Sequence, residues 1–238
     1  MNWDASFDNL SKWQASSHPK LANSKPEQLF AQSFLDRYVR LHSDLWHRII
    51  RVHGTIHTLE TIKSFPFAEV YGPYDIEFWR LVYENFFEIA IILINGMVND
   101  SGRDAHTLMS FKNEIIRADW LDEQLHCLYR KTVQERKFDT VVKSIARRVE
   151  KIRNNHIAHR LTDKETGESK VQCESVSLTD LRSLFDATHA LFGALSFGSS
   201  YVTLAGDLMP STVGGKRSRT CLENVLEAVV EHCARACM

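Results

Sequence analysis

Three side chains in the middle of the chain could move protons and hold phosphate. They are Arg153, His156 and His159, within the run Arg153-Asn154-Asn155-His156-Ile157-Ala158-His159-Arg160. Histidine titrates near neutrality, so it can remove a proton or supply one. Arginine stays charged and offers a fork of donors to phosphate oxygens. The apolar residues upstream, Val142, Ile145, Val149 and Ile152, step by three and four, which is the stripe of a helix packed on a core. Continuing from Ile152 by four and three reaches His156 and His159, so a buried line of Val and Ile runs into polar groups. Such groups are costly at an interface unless they are partnered. They could instead cap the last carbonyls of a helix and seal an interface between copies.

The whole chain carries a formal charge of −1 over 238 residues, so no global field draws it to nucleic acid. The segment 137–160 differs. Lys137, Lys143, Arg147, Arg148, Lys151, Arg153 and Arg160 face only Asp139 and Glu150 there. A charge run is usually a solvated helix face; beside two histidines it also suits a polyanion. The candidate binding residues are Arg147, Arg148, Lys151, His156 and Arg160.

The elements that must position these residues are helical. No glycine occurs between Gly102 and Gly167, and the prolines stand at 19, 26, 66, 73 and 210, leaving the middle free of breakers. A helix is expected from Pro26 to about residue 64, then a turn at Phe65-Pro66 through Gly72-Pro73. A second covers 75–97 with a stripe of Trp79, Val82, Phe86, Ala90 and Leu93. Shorter helices follow near 107–117 and 119–133, and a long one spans 137–159. Ser177 caps the next, over 178–195, with Asp180 in its first turn. DLMPSTVGGKRSR is expected as a flexible basic linker before a last helix at 221–237. With no convincing strand, the fold class is all-α, an antiparallel helical bundle. Residues 1–25 form a lead-in, 26–205 the domain, and 206–238 the linker and extra C-terminal helix.

The amino terminus lacks the basic start and apolar run of a secretory signal. The longest uncharged apolar run, Ile89 to Val98, is about half of a membrane span and suits a core helix. Five cysteines (Cys127, Cys173, Cys221, Cys233 and Cys237) without CxxC spacing fit a reducing, cytoplasmic setting. Metal ligands were weighed too. His53, His57 and Glu60 share a helical face, and Glu123 with His126 makes one ExxH pair. A carboxylate-bridged dimetal site needs two such pairs and two more glutamates, so no metal or other cofactor is expected. GGKRS lacks the glycine spacing and preceding strand of a phosphate loop.

The Arg153–His159 segment resembles the Arg, four to six residues, His signature of HEPN domains, where asparagine commonly follows the arginine. ENFFEIAIILINGMVNDSGRDAHTLMSFKNEI, ahead of it, is similar to the matching region of the abortive-infection (AbiU-type) branch, and the resemblance covers roughly residues 30–200. It implies a HEPN-type bundle forming a homodimer with two motifs facing each other, and either a metal-independent endoribonuclease or a catalytically inactive binding module. An antitoxin or other defence-system protein is an implied partner besides the RNA. In one toxin subgroup a partner enzyme modifies a tyrosine two residues after the histidine; Leu161 stands here.

In such an enzyme a base removes the ribose 2′-hydroxyl proton and an acid protonates the leaving 5′-oxygen. The resemblance assigns proton transfer to His159, phosphate and transition-state binding to Arg153, and orientation of the histidine or the phosphate to Asn154. An ideal helix leaves Arg153 and His159 roughly 120° apart with His156 between them. The preference for His159 therefore comes from the resemblance, not from the helical wheel.

Overall fold

Lys25 holds an extended backbone before Pro26, as a residue preceding proline prefers, and the Gln28 side chain accepts a hydrogen bond from its N–H at 2.9 Å. A helix does open there, but a short one. The computed structural model describes residues 19–65, 73–99, 106–154, 176–197, 212–213, 216–217 and 226–228. In it α1 spans Pro19–Asn23, α2 spans Pro26–Leu29 and α3 spans Gln32–Ser64. The single helix expected from Pro26 is thus two, and the break has a tertiary cause. Phe30 is extended and bridges Trp120. Ala31 N–H donates to the Asp119 carbonyl at 2.9 Å, and Leu121 N–H donates to that of Leu29 at 2.8 Å. The Phe30 ring lies 4.9–5.4 Å from those of Phe34, Tyr38, Trp120 and Phe197. Local helix propensity yields to that cluster. The segment expected as a lead-in contributes α1, whose Leu21 is buried in the common core.

The remaining helices are α4 (Pro73–Val98), α5 (Leu108–Arg117), α6 (Glu123–Glu135), α7 (Phe138–Arg153) and α8 (Leu178–Gly193). Their starts are chemically marked. Thr107 accepts from Ser110 N–H, and Asp122 accepts from Gln124 and Leu125 N–H. Ser177 Oγ accepts from Asp180 N–H at 3.1 Å while the Asp180 carboxylate accepts from Ser177 N–H at 3.0 Å, the reciprocal box that Ser177 and Asp180 were expected to form. Ser177→Ala is expected to cost about 1 kcal/mol, the usual worth of such a cap. Urea unfolding checks this, and a change below a few tenths would deny the cap its role. At the α6–α7 corner Lys137 takes a left-handed conformation (φ 53°, ψ 40°), a turn that local periodicity does not announce.

Val142, Ile145, Val149 and Ile152 of α7 are all buried, and α7 packs on α4 and α8 as their spacing required. α3 packs on the same two helices. The stripe expected on α4 faces inward, with Ala90 buried and Trp79, Val82, Phe86 and Leu93 partly buried, and a more deeply buried line runs beside it. Ile91, Ile94, Met97 and Val98 make that line, and Phe78, Leu81, Ile89 and Ile92 are exposed. A helix apolar on nearly every side does not tell from periodicity which line is buried deepest. By length and composition Ile76–Val98 is long and apolar enough to cross a membrane, and only 28% of that window is buried, less than the core helix expected there would bury; the apolar run of 89–98 is extended by its neighbours in α4.

Beyond α8, Tyr38 Oη donates to the Leu195 carbonyl at 3.1 Å and accepts from Phe197 N–H at 3.2 Å, which fixes 195–197 against α3. The described residues are all-α apart from one small hairpin. Thr212–Val213 (β1) pairs antiparallel with Lys216–Arg217 (β2) inside the expected linker. The Gly214-Gly215 dipeptide between them is a favoured two-residue hairpin sequence. Of the expected C-terminal helix, 226–228 is helical and Leu226 is buried; the rest lies outside the described residues.

Candidate functional site

The buried stripe of α7 fixes the rotation of the helix, and with it the placement of every charge on its surface. Lys143, Arg147 and Lys151 fall four apart on the exposed side. Arg148 turns toward α8, where its guanidinium donates to the Asp180 carboxylate at 2.8 Å. The hydrogen bond from the Ser177 hydroxyl holds that carboxyl below its ordinary range, aided by Ser177 N–H and by the Arg148 charge. Arg148, expected among the RNA-binding residues, therefore ties two helices together. Asp139 is matched from the neighbouring helix by Lys112, whose buried ammonium lies 2.6 Å away. Pairing outside the segment thus cancels one of the few negative charges that offset its basic run.

At its end α7 presents Arg153 and Asn154, both half-buried. Arg153 Nη2 donates to Asn154 Oδ1 at 3.1 Å, with Nε 3.4 Å from the same oxygen. Asn154 N–H donates back to the carbonyls of Glu150 and Lys151. Asn154 was expected to orient the histidine or the phosphate; here its carboxamide orients the guanidinium. Neutral oxygens can hold a guanidinium without cancelling its charge. His156, His159 and Arg160 lie outside the described residues.

Among the described residues no group of three or more His, Cys, Asp or Glu side chains is arranged to hold a metal ion. His53, His57 and Glu60 do share a face of α3, but α8 brings Arg182 to them, with Nη1 3.3 Å from Glu60 Oε1. A fixed cation at that point opposes a divalent one. His126 is structural. Its ring stacks on Trp120 at 5.2 Å, and Nε2 donates to the Ile116 carbonyl at 3.0 Å.

Sequence reasoning did not find several polar partnerships. Asp44 Oδ2 lies 3.0 Å from Arg48 Nη2 and 3.1 Å from His106 Nδ1. Beside them Asp36, Val39, Arg40, Ser43, Asp44 and His47 line an open groove of about 500 Å³. The histidines of α3 were visible at their spacing; their partners come from helices remote in sequence, and no local signal marks them. Compared with known protein families, curated proteins and solved structures, the chain matches none.

Proposed function

We propose that the C-terminal end of α7 is the centre of a metal-independent endoribonuclease of the HEPN type, acting as a soluble cytoplasmic homodimer. The observation that carries this reading is the end of α7 itself. The buried stripe runs through Ile152, and the next two residues are a guanidinium and the carboxamide that holds it, on a helix whose outer side carries Lys143, Arg147 and Lys151.

In this reading the outer lysines and Arg147 track the RNA backbone, and Arg153 binds the scissile phosphate. A base, His159 in one protomer or the other, takes the 2′-hydroxyl proton. The 2′-oxygen bonds to phosphorus, the bond from phosphorus to the 5′-oxygen breaks, and an acid gives that oxygen a proton. Arg153 stabilises the charge that accumulates on the phosphoryl oxygens between those events. The products are a 2′,3′-cyclic phosphate and a 5′-hydroxyl.

The test is a mixed RNA pool incubated with purified protein, with and without EDTA. Cleavage is expected in both, with cyclic-phosphate ends, while DNA, which lacks the attacking hydroxyl, stays intact. The rate should fall as salt screens the phosphate contacts. EDTA-sensitive cleavage would overturn the mechanism. RNA bound but uncut would leave the other HEPN reading, a non-catalytic binding module.

A further inference from the structure

We infer that the seam between α3 and α8 is an acid-labile latch: when the histidines lining it take up protons, α8 loosens from α3 while the rest of the bundle stays packed.

The seam is built from two sets of three residues, each spaced i, i+4, i+7. α3 contributes His53, His57 and Glu60; α8 contributes Arg182, Asp186 and His189. They meet in opposite order. Glu60 Oε1 lies 3.3 Å from Arg182 Nη1 at one end. At the other, the Phe185 ring lies between His53, 5.4 Å away, and His189, 5.8 Å away and nearly parallel. Arg182 Nε is 3.7 Å from Asp186 Oδ1. The polar groups are incompletely satisfied. Among the described residues His57 Nε2 is buried without a hydrogen-bond partner, and Arg182 Nη1 also lacks one despite its proximity to Glu60. A polar contact with unmet donors and acceptors is less secure than the apolar core around it.

The electrostatics point the same way. Burial, the Arg182 charge and His57 hold His53 below its ordinary titration range, and Glu60 opposes them. Burial and the nearby His53 do the same to His189. Burial raises the Asp186 carboxyl, with Glu60 adding to the rise and Arg182 opposing it. Among the described residues the charges acting on these three groups belong to α3 and α8. A histidine that resists protonation in the closed seam and titrates normally once released favours opening as pH falls below its ordinary value of 6.5. Each such histidine multiplies the opening equilibrium by up to about tenfold per pH unit. Glu60 and Asp186 offset only part of this, because Arg182 already engages both.

Hydrogen exchange followed by mass spectrometry, corrected for intrinsic exchange, tests this on the full chain. Between pH 7.5 and 5.5 the amides of α8 should lose protection beyond any loss that α5 and α6 share with them through global stability. The double variant His53→Gln/His189→Gln should lose most of that pH dependence. Arg182→Gln, which relieves the repulsion and leaves Glu60 to favour protonated His53, should weaken it too and serves if the double variant does not fold. Unchanged protection of α8, equal loss in every helix, or full pH dependence in the variant that folds would each overturn the latch.

Discussion

If the chain is the endoribonuclease proposed above, His159→Ala is expected to lower the RNA-cleavage rate on the order of 10²–10⁴-fold, the usual range for removing a proton-transfer group. Arg153→Ala should cost about 10²–10³-fold, because it removes charge stabilisation from the transition state rather than the proton path. The neighbouring residues separate the roles. His156→Ala should be milder than His159→Ala if the resemblance assigns the histidines correctly. Asn154→Ala leaves the guanidinium in place but without the carboxamide 3.1 Å away, so it should impair the reaction less than Arg153→Ala and be read as a positioning effect. The pH profile distinguishes the two kinds of loss: His159→Ala should flatten the limb that a histidine contributes, and Asn154→Ala should lower the curve without reshaping it. Single-turnover cleavage by matched preparations measures all four. Equal cleavage by wild type and His159→Ala would remove the histidine from the mechanism.

Much of the fold was legible because its signals are local. The step of three and four from Val142 to Ile152 fixes both the existence of α7 and its buried side, and all four residues are in the core. Ser177 with Asp180 marks the start of α8 through a hydrogen-bonding motif complete within four residues. Local reasoning failed where a distant partner decides the outcome. Nothing between Pro26 and Gln32 announces that Phe30 will leave the helix to pair with Trp120. In α4 the difficulty is an excess of signal: with Phe78, Leu81, Ile89 and Ile92 as apolar as the residues that face inward, only the neighbouring helices choose the most deeply buried line.

The candidate site divides along the same line. The helix was expected to run from 137 to 159; it is described over Phe138–Arg153 with Asn154 as its cap, and 155–159 lie outside the described residues. That the Arg153 and Asn154 side chains would bond to each other does not follow from their types, since asparagine can serve a histidine or a phosphate equally well. Arg148 shows what a local reading leaves out. In sequence it belongs to a basic run; in the fold it is 21% exposed and joined to Asp180 on α8. A basic run read from sequence does not show which of its charges a neighbouring helix will meet with a carboxylate.

Stability is expected to fall as the pH drops from about 6.5 toward 4, and His42→Gln should flatten that fall. His42 is buried in α3, its ring 4.8 Å from Phe192 and stacked on Tyr38. Ser196 Oγ donates to the Phe192 carbonyl at 3.0 Å. The short contact of 2.9 Å to the imidazole is therefore best made by His42 Nε2–H donating to Ser196 Oγ. This neutral tautomer suits an apolar site, and burial lowers the titration of His42 from 6.5 to about 4. The unfolded chain consequently binds a proton that the folded one refuses throughout that interval, so stability rises with pH across it. The full contribution is present above 6.5, declines by about 1.4 kcal/mol per pH unit below it, and amounts to about 3 kcal/mol by pH 4. Asp180, whose carboxyl is held low, loses stability only nearer its own range, and the raised carboxyl of Asp186 acts in the opposite sense. Between pH 6.5 and 5 the histidines therefore govern the slope. His42→Gln keeps a donor for Ser196 but gives up ring packing, so it should be less stable than wild type at pH 7 while losing less on acidification. Urea midpoints at half-unit steps from pH 7.5 to 4.5 measure the two slopes. Parallel curves for wild type and variant would show that His42 is not the residue that refuses the proton.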